Sequence, residues 1–162
     1  MCSSDLDRAY CVAVDSRDGS IVVGGAYSGT VDFDPGAGVQ SRTSVGSFDA
    51  FMAKFGGDGT FQWVGTVGSN RASTYGNSEA LEYIQGIDID ASGTIYATGM
   101  FNGAATVSFG NATASLSAAG PQNTCILQVG GTGTLGWAKQ FTSTFLNAGL
   151  GINVMPSGRL AV

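Results

Sequence analysis

Hydrophobic and polar positions alternate with a period of two along much of this chain. Val12 and Val14 alternate with Ala13 and Asp15, Ile87 and Ile89 with Asp88 and Asp90, and Ile152 and Val154 enclose Asn153. A period of two marks a strand with one buried face. Each stretch runs into a short polar segment carrying Gly19, Gly93 or Gly158, and apolar residues resume at 21–23, 95–97 and 160–162. Strand, tight turn and return strand make a hairpin. A second hairpin pattern follows the first. Phe51, Ala53 and Phe55 alternate with Met52 and Lys54, Gly56-Gly57-Asp58-Gly59 turns the chain, and Phe61 and Trp63 open the partner strand. Cys125, Leu127 and Val129 repeat that face, residues 130–133 the turn, and Leu135 and Trp137 the partner.

The two patterns recur. Residues 49–63 (DAFMAKFGGDGTFQW) align without a gap on 123–137 (NTCILQVGGTGTLGW), so that Gly56, Gly57, Gly59, Thr60 and Trp63 return as Gly130, Gly131, Gly133, Thr134 and Trp137 at an offset of 74. The first hairpin appears three times, at 12–25, 87–99 and 152–162, with Gly19 to Gly93 also offset by 74 and Gly93 to Gly158 by 65. Two hairpins per unit are four strands, the content of one propeller blade. Longer segments at 28–47 and 102–120 separate the hairpins and are expected to hold an extra short hairpin at the blade edge. The stretch 70–85 is the candidate helix, of one or two turns around Ser78-Glu79-Ala80-Leu81-Glu82-Tyr83. A helix that short has little stability of its own.

The run Gly-Ile-Asp-Ile-Asp-x-Ser-Gly-x-Ile-Tyr-x-x-Gly at 86–99 resembles the bacterial seven-bladed β-propeller repeat family (SBBP repeats). So do Asp-Ala-Phe-x-Ala-Lys-Phe…Asp-Gly…Trp at 49–63 and Gly29-Thr30-Val31-Asp32-Phe33. The resemblance covers nearly all of 10–162, with departures at Asn123-Thr124-Cys125 and in the insert at 71–85. It implies an all-β partial β-propeller of about two and a half four-stranded antiparallel blades, truncated at both ends. The units are read as 7–48 (partial), 49–122 and 123–162 (partial) of one propeller domain. Residues 1–6 have no place in the repeat and read as a translated sequencing-adapter end. The family implies large secreted or surface-attached bacterial proteins in which propellers stand beside other modules. It implies no reaction, substrate or catalytic residue.

Composition narrows the chemistry. Charged residues make up 12% of the chain and Gly 26 of its 162 residues, which suits many short strands joined by tight turns. The net charge is −5 and the seven Lys and Arg are scattered, so there is no footprint for nucleic acid. No apolar run approaches the ~20 residues of a membrane span. The chain has no His, which removes the commonest general base and metal ligand.

Among acidic pairs, Asp15 and Asp18 loosely resemble the start of a calcium loop without its later Glu. Asp32 with Asp34, and Asp88 with Asp90, are local to one strand or turn. Turn capping and a solvated face are the favoured reading for all three pairs, with metal binding as the alternative. Local pairs also do not face each other across a cleft as glycosidase carboxylates must. Trp63 and Trp137 are expected to pack in the core between blades; their Thr-x-x-Trp setting is also similar to the tryptophan-docking motif of quinoprotein dehydrogenase propellers. The Gly-rich turns at 56–59 and 130–133 lack the Lys-Ser/Thr of a phosphate loop. Cys11 and Cys125 read as small buried hydrophobes, and Cys2, Cys11 and Cys125 have no zinc-site spacing.

The sequence therefore points to a non-catalytic extracellular or cell-surface module, a scaffold or interaction surface. Its partners would be the remaining blades of its propeller and a protein or glycan ligand, and no cofactor is expected, calcium at Asp15 and Asp18 being only the alternative to turn capping there. The alternative is part of a propeller enzyme, quinoprotein-like or carbohydrate-active.

Overall fold

The computed structural model describes residues 7–70, 82–145 and 147–162. Its strands are β1 (Arg8–Val14), β2 (Ile21–Tyr27), β3 (Thr30–Asp32), β4 (Ser41–Thr43), β5 (Asp49–Phe55), β6 (Phe61–Ser69), β7 (Tyr83–Ile89), β8 (Ile95–Phe101), β9 (Ala104–Phe109), β10 (Ala112–Ser117), β11 (Asn123–Val129), β12 (Leu135–Phe141), β13 (Asn153–Val154) and β14 (Leu160–Ala161). Every pairing is antiparallel. Among the described residues there is no helix. Most of the candidate helix lies outside the described residues, and Tyr83, Ile84 and Gln85 at its end are strand.

The 74-residue offset holds at the level of hydrogen bonding. Strand β5 pairs with β2 from Ile21↔Phe55 to Tyr27↔Asp49, and β11 pairs with β8 from Ile95↔Val129 to Phe101↔Asn123. Lys54↔Trp63 becomes Gln128↔Trp137, with a bulge beside each pair. The two indoles thus occupy equivalent places. The β1–β2 hairpin matches β7–β8 with one residue more in its turn, since Asp15 N–H donates to Ser20 O whereas Asp90 N–H donates to Thr94 O. Gly19, Gly59, Gly93, Gly133 and Gly158 all sit in these turns at φ between 72° and 85°. Only Gly reaches that region without steric cost, which is why the turn glycine recurs.

The sheets are phased differently from the units as read in the sequence. Strands β1-β2-β5-β6 form one continuous ladder and β7-β8-β11-β12 another, so each four-stranded set spans 8–69 or 83–141. The cause is the β2–β5 ladder, which joins two hairpins that the repeat alone assigns to separate units. β13 and β14 make up a third, two-stranded set and pair only with each other.

The segments between hairpins do carry short hairpins, β3–β4 and β9–β10. The second does not stay with its own set. β9 pairs with β6, from Thr66↔Ser108 to Ser69↔Ala105, and extends the first ladder to six strands. Ser117 on β10 meanwhile exchanges hydrogen bonds with the Gln140 side chain on β12: Ser117 N–H donates to Oε1 at 2.8 Å, and Nε2 donates to Ser117 O at 3.1 Å. The hairpin therefore clasps both sets.

β7 lies against β1, β2 and β5, and the core forms at that face-to-face contact. Val22, Met52 and Val67 of the first set meet Ile84, Ala97, Leu127 and Val129 of the second, with Val107 and Phe109 of the clasping hairpin. Glycines set how closely strands approach. A Cβ at Gly25 would strike the carbonyl of Arg8, and one at Gly99 that of Tyr83, the same clash in both sets.

Candidate functional site: the seam between the two sets

Turns from both sets meet at one end of the seam. Asp15 opens the β1–β2 turn and is buried, and Arg17 folds back on it. Arg17 Nε donates to Asp15 Oδ1 at 3.0 Å, Nη2 donates to Oδ2 at 2.8 Å, and Nη1 reaches across the seam to Ser92 O at 2.5 Å. Lys54, buried on β5, donates to Gly131 O at 3.3 Å and stands 4.0 Å from Asp15 Oδ2. Trp63 Nε1 donates to the same Gly131 carbonyl at 3.1 Å, and its ring lies edge-to-face with Phe109 at 6.0 Å. The Arg17 guanidinium holds the Asp15 carboxyl below its ordinary range, and Lys54 adds to this. First-set cations thus grip second-set turn carbonyls, with one buried carboxylate balancing them.

The acidic residues singled out in the sequence are divided among separate tasks. Asp18 Oδ1 accepts from Ser20 N–H and Oγ–H, Asp58 Oδ1 from the same two donors of Thr60, and Asp90 Oδ1 from Ser92 and Thr94. Asp32 Oδ1 accepts from Asp34 N–H and Gln40 N–H, and Asp34 Oδ1 from Gly36 N–H. These are turn caps. Asp88 Oδ2 accepts from Val154 N–H at 2.6 Å and so ties the third set to the second. Asp15 and Asp18 share a turn but are engaged by different donors, and a calcium ion at Asp15 would have to displace Arg17. Among the described residues no three His, Cys, Asp or Glu side chains gather as a metal group.

Both tryptophans are half-buried rather than enclosed. Trp63 earns its place through Gly133, where a Cβ would come within 2.7 Å of the indole. Trp137 meets Tyr96 on its own set at 6.3 Å. Cys11 and Cys125 are free thiols. Burial pushes Cys11 up to about 11 and Cys125 up to about 12, which keeps both protonated and poorly nucleophilic near neutrality.

Four seam residues escaped the sequence reading: Arg17, Lys54, Glu82 and Asn102. Lys54 had a signal, since a cation between Ala53 and Phe55 in a largely apolar strand needs a partner. At the opposite end of the seam, Ser69 Oγ donates to Glu82 Oε1 at 2.6 Å and Asn102 N–H donates to the same oxygen at 3.3 Å. An open cleft of about 440 Å³ lies on the outer face of the first set, walled by Val23, Tyr27, Phe33, Phe51 and Phe55. A second of about 380 Å³ runs past Tyr27, Arg42, Asp49, Thr66 and Ser69. No family model matches the chain, and no curated protein is significantly similar to it. No helix among the described residues is long and apolar enough to cross a membrane.

Proposed function

We propose that the chain is part of a bacterial β-propeller of the SBBP-repeat kind, a non-catalytic scaffold or interaction module of an extracellular or cell-surface protein. Each four-stranded set is then one blade, and β13–β14 opens the next.

One observation carries the reading: equivalent faces of the two sets meet different fates. Ile87 and Ile89 of β7 pack into the core, while their counterparts Val12 and Val14 on β1 are 63% and 61% exposed. Cys125 and Val129 are buried, while their counterparts Phe51 and Phe55 line the open 440 Å³ cleft. A face built to be covered in one copy and left bare in the other calls for a further blade. Repeat units gain stability from neighbour interfaces, and a closed ring supplies one interface per blade.

The test compares this 162-residue chain with one extended by further units, using light scattering and thermal unfolding. Association of the short chain and a monomeric, cooperatively unfolding long chain are expected. A monodisperse short chain with a cooperative transition would refute the reading.

A further inference from the structure

We propose that Glu82 is a proton-operated latch on the seam, closed when its carboxyl is neutral and strained open when it ionises. Glu82 stands just before β7 and is 0% exposed, so its charge cannot be solvated in place. Its Oε1 joins both sets, taking the Ser69 hydroxyl from the end of β6 and the Asn102 N–H from just past β8. Its Oε2 has no hydrogen-bond partner, and neither Oδ1 nor Nδ2 of Asn102, itself 1% exposed, has one.

Three orphaned polar atoms at one buried joint need a physical reason. A proton on Oε2 accounts for two of them, Oε2 itself and the Asn102 amide oxygen. The acid's O–H becomes a donor, and the Asn102 amide oxygen, beside a main-chain N–H already bound to this carboxyl, is an acceptor in want of one. Ionisation removes that donor and leaves a buried charge that no cation among the described residues balances.

The groups around Glu82 act in the same direction. Among the described residues, Asp49 on β5 is the charged side chain that acts on Glu82, and it repels. Asp49 is itself held by the N–H groups of Val45 and Gly46, with Tyr27 of β2 near it. Tyr83 follows Glu82 and packs on Tyr10 of β1, β6 presents Ser69, and β8 leads into Asn102. Burial, more than Asp49, pushes the Glu82 carboxyl up to about 7.

The same cap exists in the first set without the burial. Asp7 Oδ1 accepts from Ser28 N–H at 3.0 Å, the counterpart of Glu82 with Asn102, and Asp7 is exposed. Capping this corner therefore needs only a solvated carboxylate. What distinguishes Glu82 is the dry seam around it.

The test uses the whole chain, which has two glutamates, Glu79 and Glu82. With ¹³C-labelled glutamate, infrared spectroscopy follows each carboxyl through its titration, whether or not the chain associates, and Glu82→Gln assigns the bands. The Glu82 carboxyl is expected to titrate near 7, and Asp49→Asn should move that midpoint down. Hydrogen exchange at Tyr83, Ile84 and Gly103, corrected for intrinsic rate, should quicken between pH 5.5 and 8.5 in the wild type and not in Glu82→Gln. The folding constant should fall on the order of a hundredfold as pH rises from about 4.5 to about 7 and then level, a fall absent in the variant. Titration at the ordinary glutamate value, or parallel exchange profiles in both proteins, would overturn the proposal. So would calcium that protects the seam at pH 8.5 in the wild type alone, because the orphaned oxygens would then hold a cation rather than a proton.

Discussion

Gly59 and Gly133 are the same turn position in two copies of one hairpin, and they make a matched pair for measuring the seam. Both have positive φ, 85° and 81°. A Cβ at Gly59 would meet nothing within 4 Å, whereas one at Gly133 would meet three indole atoms of Trp63 at 2.7–3.0 Å. Gly59→Ala should therefore cost only the left-handed backbone term, about 1–2 kcal/mol. Gly133→Ala should cost that plus the displacement of a packed aromatic, a further ~1–3 kcal/mol. Trp63→Ala alone should cost about 3 kcal/mol, the low end for an aromatic because the ring is only partly buried. In the Trp63→Ala background the extra cost at Gly133 should vanish, leaving the two glycine substitutions equal. The assay is urea unfolding followed by circular dichroism at several protein concentrations, closed as a double-mutant cycle. Equal costs for Gly59→Ala and Gly133→Ala in the wild-type background would refute the reasoning. A difference that persists without the indole would show that Trp63 is not what Gly133 supports.

Three further outcomes follow from named contacts. Asp15→Asn should lose about 1–3 kcal/mol at pH 7. Because pairing with Arg17 lowers the folded-state pKa of Asp15, its stabilisation is present above the ordinary carboxylate range and lost on acidification; the gap to wild type should therefore close below about pH 4 in a pH series of thermal melts. Gly99→Ala should prevent normal folding, since its Cβ would drive into the Tyr83 carbonyl, and Gly25→Ala should do the same against Arg8; soluble yield and circular dichroism report both. Replacing Val12 and Val14 with Lys should leave the chain's own packing nearly unchanged, because both are more than half exposed, while reducing association in light scattering.

The hairpins were legible in the sequence because their physics is local. Alternation at 12–15, 51–55 and 87–90 marks faces, and Gly19, Gly59, Gly93, Gly133 and Gly158 mark backbone that only glycine adopts without strain. Each signal lies within a few residues of the structure it specifies. The repeat offset needed only self-comparison, and it carried through to strand register. The acidic turn residues were also readable in kind, since an Asx cap reaches only two to four residues.

Local alternation, turn glycines and self-comparison were enough for the hairpin strands, their turns and the equivalence of the units, though not for the start of β7 at Tyr83. How those units join is set by long-range pairing. That β5 extends the β2 ladder, and that β9–β10 crosses to β6, depends on pairings between segments far apart in the chain, which alternation does not encode. Asp15 looked like a calcium ligand beside Asp18, but Arg17 folds back on it and Lys54 arrives from another strand, and their charges assign it a different task. Glu82 sat in an apparent scrap of helix, and nothing near it in sequence marks it as buried. Burial is a property of what packs on a residue, and for Glu82 that is Ser69 and Asn102, brought from opposite sides by the fold.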